Sequence, residues 1–192
     1  MTCDPLLRAG VLLLASLKFI LPLLLHDDFG FHRDELLYLA MGDHLDWGYL
    51  EVPPMIALLG AIADSLFGTW VAGVRLLPAL AGAVTLWLTA RLAADMGGGA
   101  WAQFLAALTY FVGVICLRVN VLFHPVSFEL LAYVTATWLL VRILQHNRPR
   151  DWLLLGLVVG LGLLTKYALL LFAGGAVLGL LLTPDRLLLR CR

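Results

Sequence analysis

The segment His26–Pro54, HDDFGFHRDELLYLAMGDHLDWGYLEVPP, is the long polar stretch between apolar runs that read as membrane spans. It carries Asp27, Asp28, Asp34, Glu35, Asp43, Asp46 and Glu51, seven of the chain's 13 acidic residues, among aromatics and the histidines His26, His32 and His44. So many charges are costly in hydrocarbon, which places the segment outside the bilayer core. Residues 26–69 are therefore expected to form an external loop with surface helices inside it.

Outward from this loop, the composition is that of an integral membrane protein. Of 192 residues, 62% are hydrophobic and 14% charged, with a mean hydropathy of +0.95; soluble domains carry about 25% charged residues. The apolar runs are rich in Leu, Ala, Val and Gly and do not alternate with polar residues, which favours helices over a transmembrane barrel. The expectation is an all-α membrane protein: one module over 1–192, a polytopic bundle of about six transmembrane helices. No basic patch points to a nucleic-acid partner. Cys3, Cys116 and Cys191 are too dispersed for a disulfide framework, a redox pair or a zinc site.

The first span is expected at 9–25, with Lys18 inside it and Pro22 near its end. It reads as an uncleaved span, because His26-Asp27-Asp28 follows it and no small-x-small cleavage site does. Lys18 either pairs with an acid or snorkels along its stem, the second being expected. Residues 53–67 are short for a span and carry Asp64, so they read as a surface helix whose first turn Pro53 and Pro54 pre-set. Further spans are expected at 70–93, 100–117 and 125–143. Arg75 is expected to snorkel to the interface, and Gly97, Gly98 and Gly99 to form a turn, not a phosphate loop. Residues 152–182 are too many for one ordinary span and are interrupted by Thr165-Lys166-Tyr167. They read as two spans meeting at a polar hairpin at Lys166, or as one long helix with a buried lysine. Trp47, Trp70, Trp138 and Trp152 read as interface anchors.

Six spans sort the charges. Arg8, Arg91, Arg142, Arg148, Arg150, Arg186, Arg190 and Arg192, eight of the 13 basic residues, fall on one side. By the positive-inside rule that side is cytoplasmic, together with the N-terminus. The acidic loop, Arg118, His124 and Lys166 then share the opposite, extracytoplasmic rim.

Asp34 and Glu35 are adjacent, so on a helix their side chains diverge by about 100° and only one readily reaches a given atom. One is a candidate general base and the other a supporting group; the alternative is a plain helix-start charge pair. Glu129, one turn inside the fourth span, needs a partner or a polar cavity. With Arg118, His124 and Lys166 it forms either a structural ion-pair set or a site for an anionic ligand, and His44 has a supporting place. No metal-ligand spacing stands out, although Asp27, Asp28, Asp34 and Asp43 together could hold a divalent cation.

These residues carry a resemblance. FHRDELLYLAMGDHLDWGYLEVPPMIALLGAIADSLFG resembles the first external loop of bacterial protein-mannosyltransferase-like (glycosyltransferase family 39-like) enzymes of the GT-C fold, with its pattern of the kind HRDEL-Y-LA-G-HL-WGY-PP. PVSFELLAYVTATWLLVRIL and WLLLGLVVGLGLLTKYALLL extend the likeness, from about Asp28 to Pro184. The resemblance implies an inverting glycosyltransferase of the bacterial inner membrane and cell envelope. It would transfer a sugar from a polyprenyl-phosphate-linked donor to a lipid, glycan or protein acceptor on the outer side, with no cofactor identified. Asp34 matches the residue taken as the base in such enzymes, and Glu35 would orient it. Arg33, Arg118, His124 and Lys166 are the matching candidates for the donor phosphate, Lys166 the better one. Many relatives carry a polar residue where Val52 precedes the Pro pair. Family members are longer, so the chain is expected to be the N-terminal membrane part, or truncated. The rival readings are a non-catalytic lipid-phosphate-binding or transporter-like module and an inactive remnant.

Overall fold

The computed structural model describes residues 5–24, 30–68, 70–184 and 186. The expectations resting on Cys3, His26, Asp27, Asp28, Phe29, Arg190, Cys191 and Arg192 lie outside these residues. The described residues form nine helices and no strand: α1 (Pro5–Leu24), α2 (Arg33–Gly42), α3 (Met55–Phe67), α4 (Val71–Asp95), α5 (Ala100–Val112), α6 (Val114–Val119), α7 (Pro125–His146), α8 (Pro149–Leu163) and α9 (Leu169–Leu182). The chain is an all-α membrane protein. Among the described residues three helices, α1, α4 and α7, are long and apolar enough to cross a membrane, and α3, α5 and α9 are shorter apolar helices.

Helix α4 is the centre of the bundle. It is 61% buried over its apolar window, against 22% for α1 and 33% for α7. It packs on α1, α5, α7 and α3, while α8 packs on α7. Its run of Ala and Gly explains this, because small side chains let neighbouring helix backbones come close. Asn120, fully buried, exploits the notch at Gly82: its side chain lies where a Cβ on Gly82 would come within 2.6 Å. Tyr110 donates its hydroxyl proton to Asn120 Oδ1 at 3.2 Å, which ties α5 to the end of α6.

One sequence expectation about the spans is corrected and one alternative is decided. Residues 100–117 are not one helix, because Gly113 takes a non-helical conformation (φ −58°, ψ 118°) and splits them into α5 and α6. Residues 152–182 form two helices, as expected, and not the alternative single one: α8 and α9 are separate, with Lys166 in the 164–168 connection. At about 1.5 Å per residue, α5, α8 and α9 fall short of a 30 Å hydrocarbon core.

Lys18 does not snorkel. It is 2% exposed, donates from Nζ to the Cys116 carbonyl at 2.8 Å, and stands 5.4 Å from the centre of the Tyr110 ring. It docks α1 on the α5–α6 break.

The two ends of the bundle hold separate polar groups. At one end Asp95 pairs with Arg91 at 3.2 Å and accepts the indole N–H of Trp138 at 2.8 Å. There Arg142 covers the Trp138 ring at 4.8 Å and pairs at 3.0 Å with Asp151, which is buried. These contacts clamp α4, α7 and α8 together. At the other end, α2 and α3 form a tight pair over a core of Tyr38, Ile56, Ala63, Val74 and Phe123. The pair depends on Gly60, where a Cβ would lie 2.8 Å from the Tyr38 carbonyl oxygen. Gly60→Ala is expected to force α2 off α3 and to cost about 1–3 kcal/mol, as overpacking usually does, read as a lowered thermal midpoint in detergent.

Candidate functional site at the rim of the bundle

The N-terminus of α2 is built by His32 and Glu35. The His32 Nδ1 accepts the Asp34 N–H at 3.3 Å, and Glu35 Oε2 accepts the His32 N–H at 2.8 Å, a reciprocal cap with histidine in the serine position. Glu35 then does more. Arg75 of α4 donates from Nε to Oε1 at 3.0 Å and from Nη2 to Oε2 at 2.8 Å, and the Phe123 N–H donates to Oε1 at 2.8 Å. Arg75 also donates to the Gly30 carbonyl at 2.9 Å. Both side chains are at most 3% exposed.

This corrects the reading of Arg75 as a snorkelling residue. An arginine near the start of a span, with a buried carboxylate in reach, loses less by pairing than by stretching to water. Burial pushes the Glu35 carboxyl up, but the bonds from Arg75, Phe123 and His32, with the Arg75 charge, outweigh it and hold the group below the usual carboxylate range. Glu35 is thus a lock between α2, α4 and the α6–α7 connection, with both oxygens occupied, and it presents none to a substrate.

Asp34, one residue away, faces the other direction. Its side chain is 33% exposed, with Arg33 Nε at 3.3 Å and His32 Nδ1 at 3.7 Å. His124 caps α7 as His32 caps α2, its Nδ1 accepting the Val126 N–H at 3.2 Å. Its ring meets Tyr38 edge-on at 5.6 Å. Burial lowers the His124 pKa, the Asp34 charge opposes this, and Lys166 and His32 add to the lowering. Tyr38 is shifted up by burial first, then by the Asp34 and Glu51 charges, and stays a phenol.

Lys166 lies on the same face, its Nζ 3.3 Å from Glu129 Oε2. The lysine side chain is 47% exposed and the glutamate 11%, so the cation has an open side and the carboxylate does not. The connection carrying Lys166 is anchored: the Met55 N–H, an orphan donor at the start of α3, bonds the Leu164 carbonyl at 2.9 Å. An open groove of about 330 Å³, lined by Leu45, Trp47, Pro54, Met55, Leu58 and Leu164 with Asp46 as its one charged residue, runs beside it.

Asp34, His124, Glu129 and Lys166 are thereby gathered, and Arg33 flanks Asp34. Arg118 is exposed on α6 and forms no ion pair with a described carboxylate. His44 is exposed in the α2–α3 loop, where its carbonyl lies 2.7 Å from the Tyr49 hydroxyl. Among the described residues no three His, Cys, Asp or Glu side chains gather as metal ligands, and Asp27 and Asp28 lie outside them. Sequence reasoning missed Arg75 as the partner of Glu35 and His32 as a cap; the H-x-x-E spacing was the available signal for the second.

These features define a multi-pass, all-α membrane protein with a charged site at one rim. Residues 51–191 match the family described as dolichyl-phosphate-mannose-protein mannosyltransferase, and the chain belongs to that GT-C-type family. The match begins at Glu51, after α2 and its two carboxylates. The lipid A galacturonosyltransferase RgtD of Rhizobium johnstonii is 29% identical over 185 residues, covering 92% of this chain and 38% of that relative. The chain thus spans well under half of the relative's length. No solved structure matches.

Proposed function

We propose that this chain is the part of an inner-membrane glycosyltransferase that holds a polyprenyl-phosphate-linked sugar on the extracytoplasmic side and transfers the sugar with inversion. The observation that carries the reading is the gathering of Asp34, His124, Glu129 and Lys166 at one rim, opposite the end bearing Arg91, Arg142 and Asp151. Asp34 accepts the proton of an acceptor hydroxyl as its oxygen attacks the sugar C1, and the bond from C1 to the carrier phosphate breaks. Negative charge then builds on the phosphate, and Lys166 is placed to offset it. Glu35 is a positioning residue here, since its lock on Arg75 fixes the turn that presents Asp34. The groove beside Lys166, apolar but for Asp46, suits the isoprenoid chain next to that phosphate. The acceptor is a lipid, glycan or protein on the same side, and the name of the relative RgtD favours a lipid.

Binding of polyprenyl phosphate to the purified protein in micelles tests the phosphate site. Lys166→Gln is expected to weaken binding about tenfold, the loss of roughly one charge-assisted contact. Unchanged affinity, with a preserved melting point, contradicts the assignment of Lys166.

A further inference from the structure

His32 and His124 stand just before α2 and α7 and use the same atom in the same way. Each Nδ1 accepts a backbone N–H two residues on, from Asp34 at 3.3 Å and from Val126 at 3.2 Å. A ring nitrogen that accepts carries no proton, so the His124 ring in this cap is neutral and keeps its proton on Nε2. Serine, threonine, asparagine or aspartate is the usual cap. Histidine differs in one respect: its imidazolium form has two donors and no acceptor, so protonation abolishes the cap.

We propose that His124 is a positioning residue whose neutral ring holds the first turn of α7, so that mild acid uncaps the helix carrying Glu129. For its bearing on transfer this rests on the function proposed above. His124 faces Asp34 and Tyr38 of α2, Lys166 of the 164–168 connection, and His32. Of these only Asp34 favours the imidazolium; burial, Lys166 and His32 favour the neutral ring. The folded protein therefore holds His124 neutral to below the ordinary value of 6.5. As pH falls beneath that value the unfolded chain takes up the proton first, so this contribution to stability is complete above it and lost below.

The test compares the parent protein with His124→Asn in detergent micelles, since asparagine accepts the same N–H at every pH. Between about pH 7.5 and 5.5 the parent's melting midpoint is expected to fall by roughly 3 °C and that of the variant by clearly less. The drop in polyprenyl-phosphate affinity over the same range should shrink in parallel. Nitrogen-15 NMR of the parent should show the His124 ring as the Nε2–H tautomer at the higher pH. A parent whose melting point does not change over this range, a variant that falls as steeply as the parent, or an Nδ1–H tautomer at His124 overturns the proposal. If the variant does not fold, the tautomer measurement decides. The melting and NMR arms need no transfer, so an inactive protein counts against the proposed function and not against the cap.

Discussion

Asp34→Asn is expected to lower sugar transfer by roughly a hundred- to ten-thousand-fold, the usual contribution of a positioned general base. Asparagine keeps the size of the side chain and removes the proton acceptor. The fold should survive, because the Asp34 side chain is one-third exposed and its contacts are to the local neighbours Arg33 and His32, while the cap to His32 uses its backbone N–H. Melting point and polyprenyl-phosphate binding should thus stay near those of the parent. Transfer at the parental rate by the folded variant rules out Asp34 as the base. A variant that neither folds nor binds the carrier moves Asp34 from chemistry to architecture.

The second large effect concerns stability. Glu35→Ala leaves Arg75 charged, buried and without its carboxylate, and leaves the N–H groups of His32 and Phe123 without their acceptor. Removing one partner of a buried ion pair costs about 3–5 kcal/mol, which for a chain of this size lowers the melting point by roughly 10 °C. Arg75→Leu should do similar damage, because it strands Glu35 and the Gly30 carbonyl. The double variant Glu35→Leu with Arg75→Leu is expected to recover part of the loss, since the buried charge that has lost its Glu35–Arg75 partner disappears while the two N–H groups stay orphaned. Additive losses in the double variant would mean that the pair contributes nothing as a pair. The lock also sets an acid limit. Because the Glu35 pKa is held below its ordinary 4.5, its contribution is present above that value and is lost as pH falls through the lowered one.

The long helices were legible because their signal is local. Continuous apolar runs around Val11, Leu86 and Leu139 mark α1, α4 and α7, and Pro125 marks the start of α7. The segregation of Asp34, His124 and Lys166 from the arginine-rich end was legible for the same reason, as charges repeat with the rhythm of the spans. What escaped was pairing at a distance. Arg75 and Glu35 are 40 residues apart, and nothing near Arg75 names its partner. The cost of an ionised group inside a bundle says only that a partner exists. Lys18 escaped differently, since its partner is the carbonyl of Cys116, and a carbonyl has no identity in a sequence. Likewise Gly113 was one glycine among 18, and only its conformation makes it a break.

The exposure of Asp34 beside the buried Glu35 separates two adjacent carboxylates into an open group and a locked one. On the function proposed above, that division and the anchored Lys166 make the rim at α2, α7 and the 164–168 connection the site for a lipid-linked phosphate. The most direct test is to attach a photoreactive polyprenyl phosphate to the protein in proteoliposomes and map the labelled peptides. Labelling is expected in α2, in the segment from Leu45 to Leu58 and around Lys166, and is expected to fall in Lys166→Gln. Labelling confined to the opposite end, around Arg91, Arg142 and Asp151, would contradict this placement of the site.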